Sequence, residues 1–237
     1  LENIKGIDVS MIKWKRIDEV YKAPLFKKSK IHQLYVNQGS LGDCYFISAL
    51  SRIAKQSNLV QALFEKPLPD RILGEITDSI NIKCGAVVVY FRAFGRRTPV
   101  LIDTLIPFDI NKNRPIFVHP INRYKSAWIC LVEKAFAKLN GNYANIDGGL
   151  FSDSIYSLFG YYRKFFPLTC GPKNALLQIL DYQKFGCLMD AAILTRDDDY
   201  ATKALIAKKG LYDGHSYLLA KVRSYKNKIF LAIKLFY

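Results

Sequence analysis

Gln38-Gly39-Ser40-Leu41-Gly42-Asp43-Cys44-Tyr45-Phe46 sets one cysteine between a glycine-rich turn and an apolar stretch in which Ile47, Leu50, Ile53 and Ala54 recur at helical spacing. That spacing predicts a helix over residues 44–56 with the sulfur in its first turn. Unpaired backbone N–H groups there favour negative charge, so the turn is expected to lower the thiol pKa and make Cys44 a nucleophile. Acyl transfer to sulfur needs a proton shuttle and a donor for the developing oxyanion. His215, within Gly210-Leu211-Tyr212-Asp213-Gly214-His215-Ser216-Tyr217, is the candidate shuttle: it would stabilise the thiolate as an ion pair and then protonate a leaving amine. Gln38 can aim its side-chain amide at the oxyanion, with the Cys44 backbone N–H as second donor. Losing one such donor costs roughly 3 kcal/mol in the barrier.

Taken singly, these residues have bland readings, since a free cysteine is usually buried packing and a lone histidine on a strand is usually structural. Taken in order with two further segments they carry more. Residues 128–143 read WICLVEKAFAKLNGNY, and Gly148-Gly149 follows. This series resembles the calpain family of papain-like cysteine proteases, whose nucleophile box reads roughly Q-G-x-L-G-D-C-W and whose histidine box reads G-L-x-x-G-H-A-Y. The resemblance covers nearly the whole chain. It implies an α+β, papain-like two-subdomain core, endoproteolysis of intracellular proteins through an acyl-enzyme on Cys44, protein substrates as partners, and a substrate-binding loop at Gly148 and Gly149.

Three departures limit what the resemblance carries over. The family's third catalytic residue is an asparagine that orients the imidazole, in an N-P-W-G box beyond the histidine. None is visible before Tyr237, so it is either replaced or lies in sequence that is not present. Calcium is expected from the family, but the two acid positions of its first-subdomain site are occupied by Tyr35 and Ser126, which supply no carboxylate charge. No metal ligand is therefore assigned. Tyr45 replaces the usual tryptophan and Thr104 the second acid after Asp103, both tolerable changes.

At 237 residues, half of them hydrophobic, the chain can bury a substantial core in one large or two small domains. The apolar stretches at 85–94 and 229–237 are too short to span a membrane, and nothing reads as a signal peptide. Leu1 is not an initiator methionine, so the chain is expected to be part of a longer polypeptide with further domains. Cys44, Cys84, Cys130, Cys170 and Cys187 are odd in number and widely spaced, which argues against zinc and against a disulfide framework. The apolar flanks of Cys130 and Cys187 suit buried thiols in a reducing compartment, and a cytoplasmic location follows as an expectation. A net charge of +15 raises a polyanion-binding reading. The basic residues are scattered apart from four short runs, with no glycine-aromatic RNA-binding signature, so no nucleic-acid partner is expected.

Residues 1–30 read as an arm and loop. Strands at 85–91 and 99–103 form a hairpin, a helix spans 128–139 and stops at Asn140-Gly141, and the composition shift at Gly148-Gly149 leads to a boundary near Ser152. Two units follow, 1–152 as the mainly helical nucleophile side and 153–237 as the β-rich histidine side. The second is expected to hold a helix at 172–185, a strand at 187–194 and a hairpin of 215–225 with 228–237. Asp197-Asp198-Asp199 lacks the spacing of a calcium loop and reads as solvated surface. A second functional reading accompanies the protease: a module that keeps the fold in a longer protein but has lost turnover, motivated by the missing asparagine and calcium acids.

Overall fold

The computed structural model describes residues 7–21, 36–54, 56–64, 85–93, 95–121, 127–161, 164, 172–225 and 228–234. In chain order, strand β1 (Ile12–Arg16) runs into a single helical turn, α1 (Ile17–Val20). After β2 (Val36–Asn37) come helices α2 (Cys44–Ile53) and α3 (Ser57–Ala62). β3 (Ala86–Ala93), β4 (Arg96–Asp103) and β5 (Leu105–Asp109) lead through the short strands β6 (Arg114–Pro115) and β7 (His119–Pro120) to α4 (Trp128–Leu139) and α5 (Phe151–Phe159). The rest comprises α6 (Pro172–Lys184), β8 (Asp190–Ala192), α7 (Tyr200–Lys208), β9 (Ser216–Tyr225) and β10 (Lys228–Lys234). The fold is α+β, and its strand pairs are antiparallel.

One core organises the nucleophile side. Phe46, Ile47, Ala49, Leu50 and Ile53 of α2 are all fully buried and meet Trp128, Ile129, Leu131, Val132 and Ala135 of α4. Phe46 and Phe136 stack with ring centroids 4.0 Å apart and planes 6° from parallel, worth about 1 kcal/mol beyond the area they bury. The β3–β4 hairpin, with Val87, Val89, Phe91, Val100 and Ile102 inward, closes that core from one side. Its strands alternate buried and exposed residues, as a sheet with one wet face does.

The histidine side is a three-stranded sheet ordered β10-β9-β8, with α6 against β9. Ile179, Leu219 and Val222 form its small separate core, while Leu218, on the other face of β9, packs into the large one. Strand β9 therefore belongs to both cores, and α2 packs directly on it.

Several boundaries differ from the sequence reading. The nucleophile helix ends at Ile53, three residues early, because the chain turns at Ala54 into α3. Residues 7–21, the described part of the expected arm and loop, hold β1 and α1, since Ile12–Arg16 pairs with Leu105–Asp109. The boundary near Ser152 falls inside α5, whose Phe151, Ile155 and Leu158 pack in the nucleophile-side core. That helix ends at Gly160, in the left-handed region at φ +73°. Asp199 caps α7 by accepting from the Thr202 N–H at 2.9 Å, so the acidic run begins a helix as well as facing water. Cys130 is buried, but Cys187 is exposed, because it follows the turn that ends α6 and leaves the sheet's apolar face. Cys84, Cys170, Tyr35 and Ser126 lie outside the described residues.

Candidate active site

The nucleophile turn is pinned at each residue before it becomes a helix. Asn37 Oδ1 accepts from the Gly39 N–H at 2.8 Å, and the Ser40 N–H donates to the Ile116 carbonyl at 2.9 Å. Gly39 sits at φ +80°, where any Cβ would collide with the Ile116 carbonyl, so no other residue fits there. Gln38 donates its side-chain amide to the Leu41 carbonyl, which bridges the turn from one end to the other. The Asp43 carbonyl then accepts from Phe46 and Ile47 at 2.9 and 3.0 Å, starting α2 with Cys44 as its first residue.

A second loop is stitched to this turn. Gly42 donates to Asp147 Oδ1 at 2.7 Å, and the Gly148 N–H returns a bond to the Gly42 carbonyl at 2.9 Å. Tyr45 Oη donates to the Ile146 carbonyl at 3.2 Å. Its ring lies so close over Gly149 that a Cβ there would stand 2.5 Å from Cζ. Gly148 and Gly149 thus lie against Gly42 and Tyr45, which flank Asp43 and Cys44 in the chain.

From the other side, His215 enters at the start of β9 on a turn of its own. Asp213 accepts from both the Thr195 N–H and Oγ1, at 2.8 and 2.7 Å, and the Gly214 N–H donates to the Ile193 carbonyl at 2.8 Å. The imidazole lies edge-on to Tyr217 and Tyr212, with centroids 5.1 and 6.4 Å away. Its Nε2 is buried and makes no hydrogen bond. The next residue, Ser216, turns its backbone N–H to the Cys44 sulfur, which brings the thiol and the imidazole-bearing residue together across the α2–β9 contact. No hydrogen bond joins Cys44 to His215 directly.

The electrostatics reverse one expectation. The Cys44 thiol pKa is raised rather than lowered: burial is the largest cause, and the carboxyls of Asp43 and Asp190 add to it. The N–H groups of Ser216 and Tyr45 pull the other way without winning. Burial also lowers the His215 pKa. Both shifts favour the neutral forms, thiol and imidazole, over the ion pair. The helix-terminus effect that sequence reasoning relied on is real but smaller than the desolvation of a sulfur with only 9% of its residue surface exposed.

Three acids around the site were not singled out from sequence. Asp190 accepts from Ser216 Oγ at 2.8 Å, and burial pushes its carboxyl up to about 7. Asp147 holds Gly42, and Glu133 faces Asp43 from α4. The available signal was an acid inside an apolar run, as in residues 128–139 for Glu133 and 187–194 for Asp190. Among the described residues, no group of three or more histidine, cysteine, aspartate or glutamate side chains is arranged to hold a metal ion. Within the same residues, no helix is long and apolar enough to cross a membrane.

A model of the calpain family of cysteine proteases matches residues 4–235. Calpain clp-4 of Caenorhabditis elegans is 31% identical over 216 residues, 89% of this chain and 28% of that protein. Calpain-5 of Mus musculus is 30% identical over 230 residues, covering 92% and 34%. The Calpain-1 catalytic subunit of Homo sapiens is 26% identical over 226 residues, covering 94% and 30%. The chain spans about a third of the length of these curated relatives.

Proposed function

Because the chain belongs to the calpain family of cysteine proteases, we propose that it is a cysteine endopeptidase domain that cleaves intracellular proteins through an acyl-enzyme on Cys44. Cys44 gives its proton to His215 as its sulfur attacks the scissile carbonyl. The proton then passes to the departing amine, and water activated by the same imidazole releases the acid product. The Gln38 amide and the Cys44 N–H receive the oxyanion. Gly148, with open space where a side chain would stand, leaves room for an extended substrate backbone alongside the nucleophile turn, and Gly149 lets the Tyr45 ring pack beneath that loop. Because burial favours the neutral thiol and imidazole, ion-pair formation is part of the work that substrate binding must do.

The observation that supports this reading best is the Ser216 N–H at the Cys44 sulfur, which holds the nucleophile helix against the strand that His215 begins. Its test is competitive labelling with iodoacetamide or a peptidyl epoxide. Labelling of Cys44 ahead of Cys84, Cys130, Cys170 and Cys187 supports it, and equal labelling of all five counts against it. Loss of peptide cleavage in Cys44→Ala completes the assignment. Tyr35 and Ser126 do not fit a calcium ion that needs carboxylate oxygens, and no step is routed through one. Further domains and a cytoplasmic location belong to the same proposal.

A specific observation favours a second reading, a fold-retaining regulatory module: among the described residues, His215 Nε2 is buried without a hydrogen-bond partner to orient the ring. Under that reading, Cys44→Ala in the full-length protein leaves its cellular phenotype unchanged.

A further inference from the structure

Directly beneath Cys44 lies a pair of carboxyls that the proposed chemistry does not use. Asp43 is 0% and Glu133 1% exposed. Among the described residues neither Asp43 oxygen makes a well-formed hydrogen bond, and the side chain facing them is the Glu133 carboxyl. Glu133 Oε1 accepts from the Val118 N–H at 3.1 Å, which leaves Oε2 as the oxygen able to carry a proton. No cation among the described residues acts on either group. Lys134, next along α4, turns its ammonium to Asp103 at 2.6 Å and to the Leu105 carbonyl. The titratable groups that act on the pair, or are acted on by it, are acidic or neutral: Asp147 from the stitched loop, Tyr143 after α4, Cys130 on α4, and Cys44 and Tyr45 on α2.

Two buried, unpaired carboxylates in contact repel too strongly to persist, whereas one proton between them supplies the missing donor and leaves a single charge. We propose that Asp43 and Glu133 share one proton, Glu133 donating to Asp43, and that this bond is a positioning device which ties the Cys44 turn to α4 and sets the charge beneath the sulfur. Asp43 and Glu133 are positioning residues and touch no substrate. In keeping with that arrangement, burial drives both carboxyls upward, and the Asp43 charge raises the Cys44 thiol. The inference stands on the buried pair itself and does not require that the chain cleave peptides.

The test uses the full chain with Glu133→Gln and Asp43→Asn, reading the rate of Cys44 alkylation by iodoacetamide against pH with the labelled peptide identified. Glutamine still donates to Asp43 but has no proton to give up, so the charge beneath the sulfur becomes permanent. That is the same single charge the shared proton leaves in the wild type, so the alkylation midpoint stays where it is. Asparagine removes that charge, and the midpoint moves to lower pH by about one unit. A purely structural role would shift both variants in the same direction or neither, and either result overturns the proposal. Should both variants fail to fold, infrared difference spectra of the Asp190→Asn protein decide instead. A protonated-carboxyl stretch at neutral pH that vanishes at alkaline pH supports the shared proton, and its absence overturns it. Because alkylation and spectroscopy need no turnover, failure of this inference is distinguishable from failure of the protease reading.

Discussion

At the scale of single residues, the site is governed by a contest between burial and backbone dipoles at Cys44. Burial wins, so alkylation of Cys44 in the absence of substrate should follow a pH curve displaced to the alkaline side of an ordinary thiol, as stopped-time labelling would show. A curve displaced to acid would mean that the Ser216 and Tyr45 N–H groups dominate. Gln38 carries a separate expectation. Its amide bridges the turn to Leu41, and under the proposed function it also donates to the oxyanion, so Gln38→Ala should lower kcat/KM on a peptide substrate about 100-fold with a smaller effect on KM. An equal fall in thermal stability would assign it to the turn alone.

At the scale of elements, α2 presents Cys44 at its first residue and anchors itself through the aromatic stack inside the core. Phe46→Ala removes a fully buried ring from against Phe136 and should cost about 3–5 kcal/mol in urea unfolding, with Phe46→Leu losing much less. A loss below 1 kcal/mol would mean that the core collapses to fill the gap. Helix α2, helix α4 and the β3–β4 hairpin were legible in the sequence because apolar period and turn glycines agree there. Strand β1 was not, because Ile12-Lys13-Trp14-Lys15-Arg16 alternates weakly and its pairing with β5 is a long-range fact. Helix α7 was hidden by its polar surface, with only Ile206 buried. Among the site residues, Cys44, Gln38, Gly148 and Gly149 could be read in order, yet the acids Asp190 and Glu133 matter through burial, which no local pattern states.

At the scale of the whole molecule, two cores share strand β9, and the candidate site lies where the nucleophile helix crosses it. Asp190, within this seam, gives the stability a pH dependence whose sign follows from its raised pKa. The unfolded chain loses the Asp190 proton near 3.8 and the folded chain near 7, so this contribution is whole below the first value and lost as pH rises through the second. Asp190→Asn should therefore flatten the fall of the unfolding midpoint between those pH values, and an unchanged slope would remove Asp190 from the seam's energetics. The stitch between Asp147, Gly42 and Gly148 has a mechanical corollary. In the proposed protease the Gly148–Gly149 loop is the rim that a substrate meets, and these bonds tie it to the turn that holds the sulfur, so a side chain bulky enough to lever that rim outward drags the sulfur off line with it. Misfit substrates should then be discriminated by slow chemistry after docking rather than by refusal at the door.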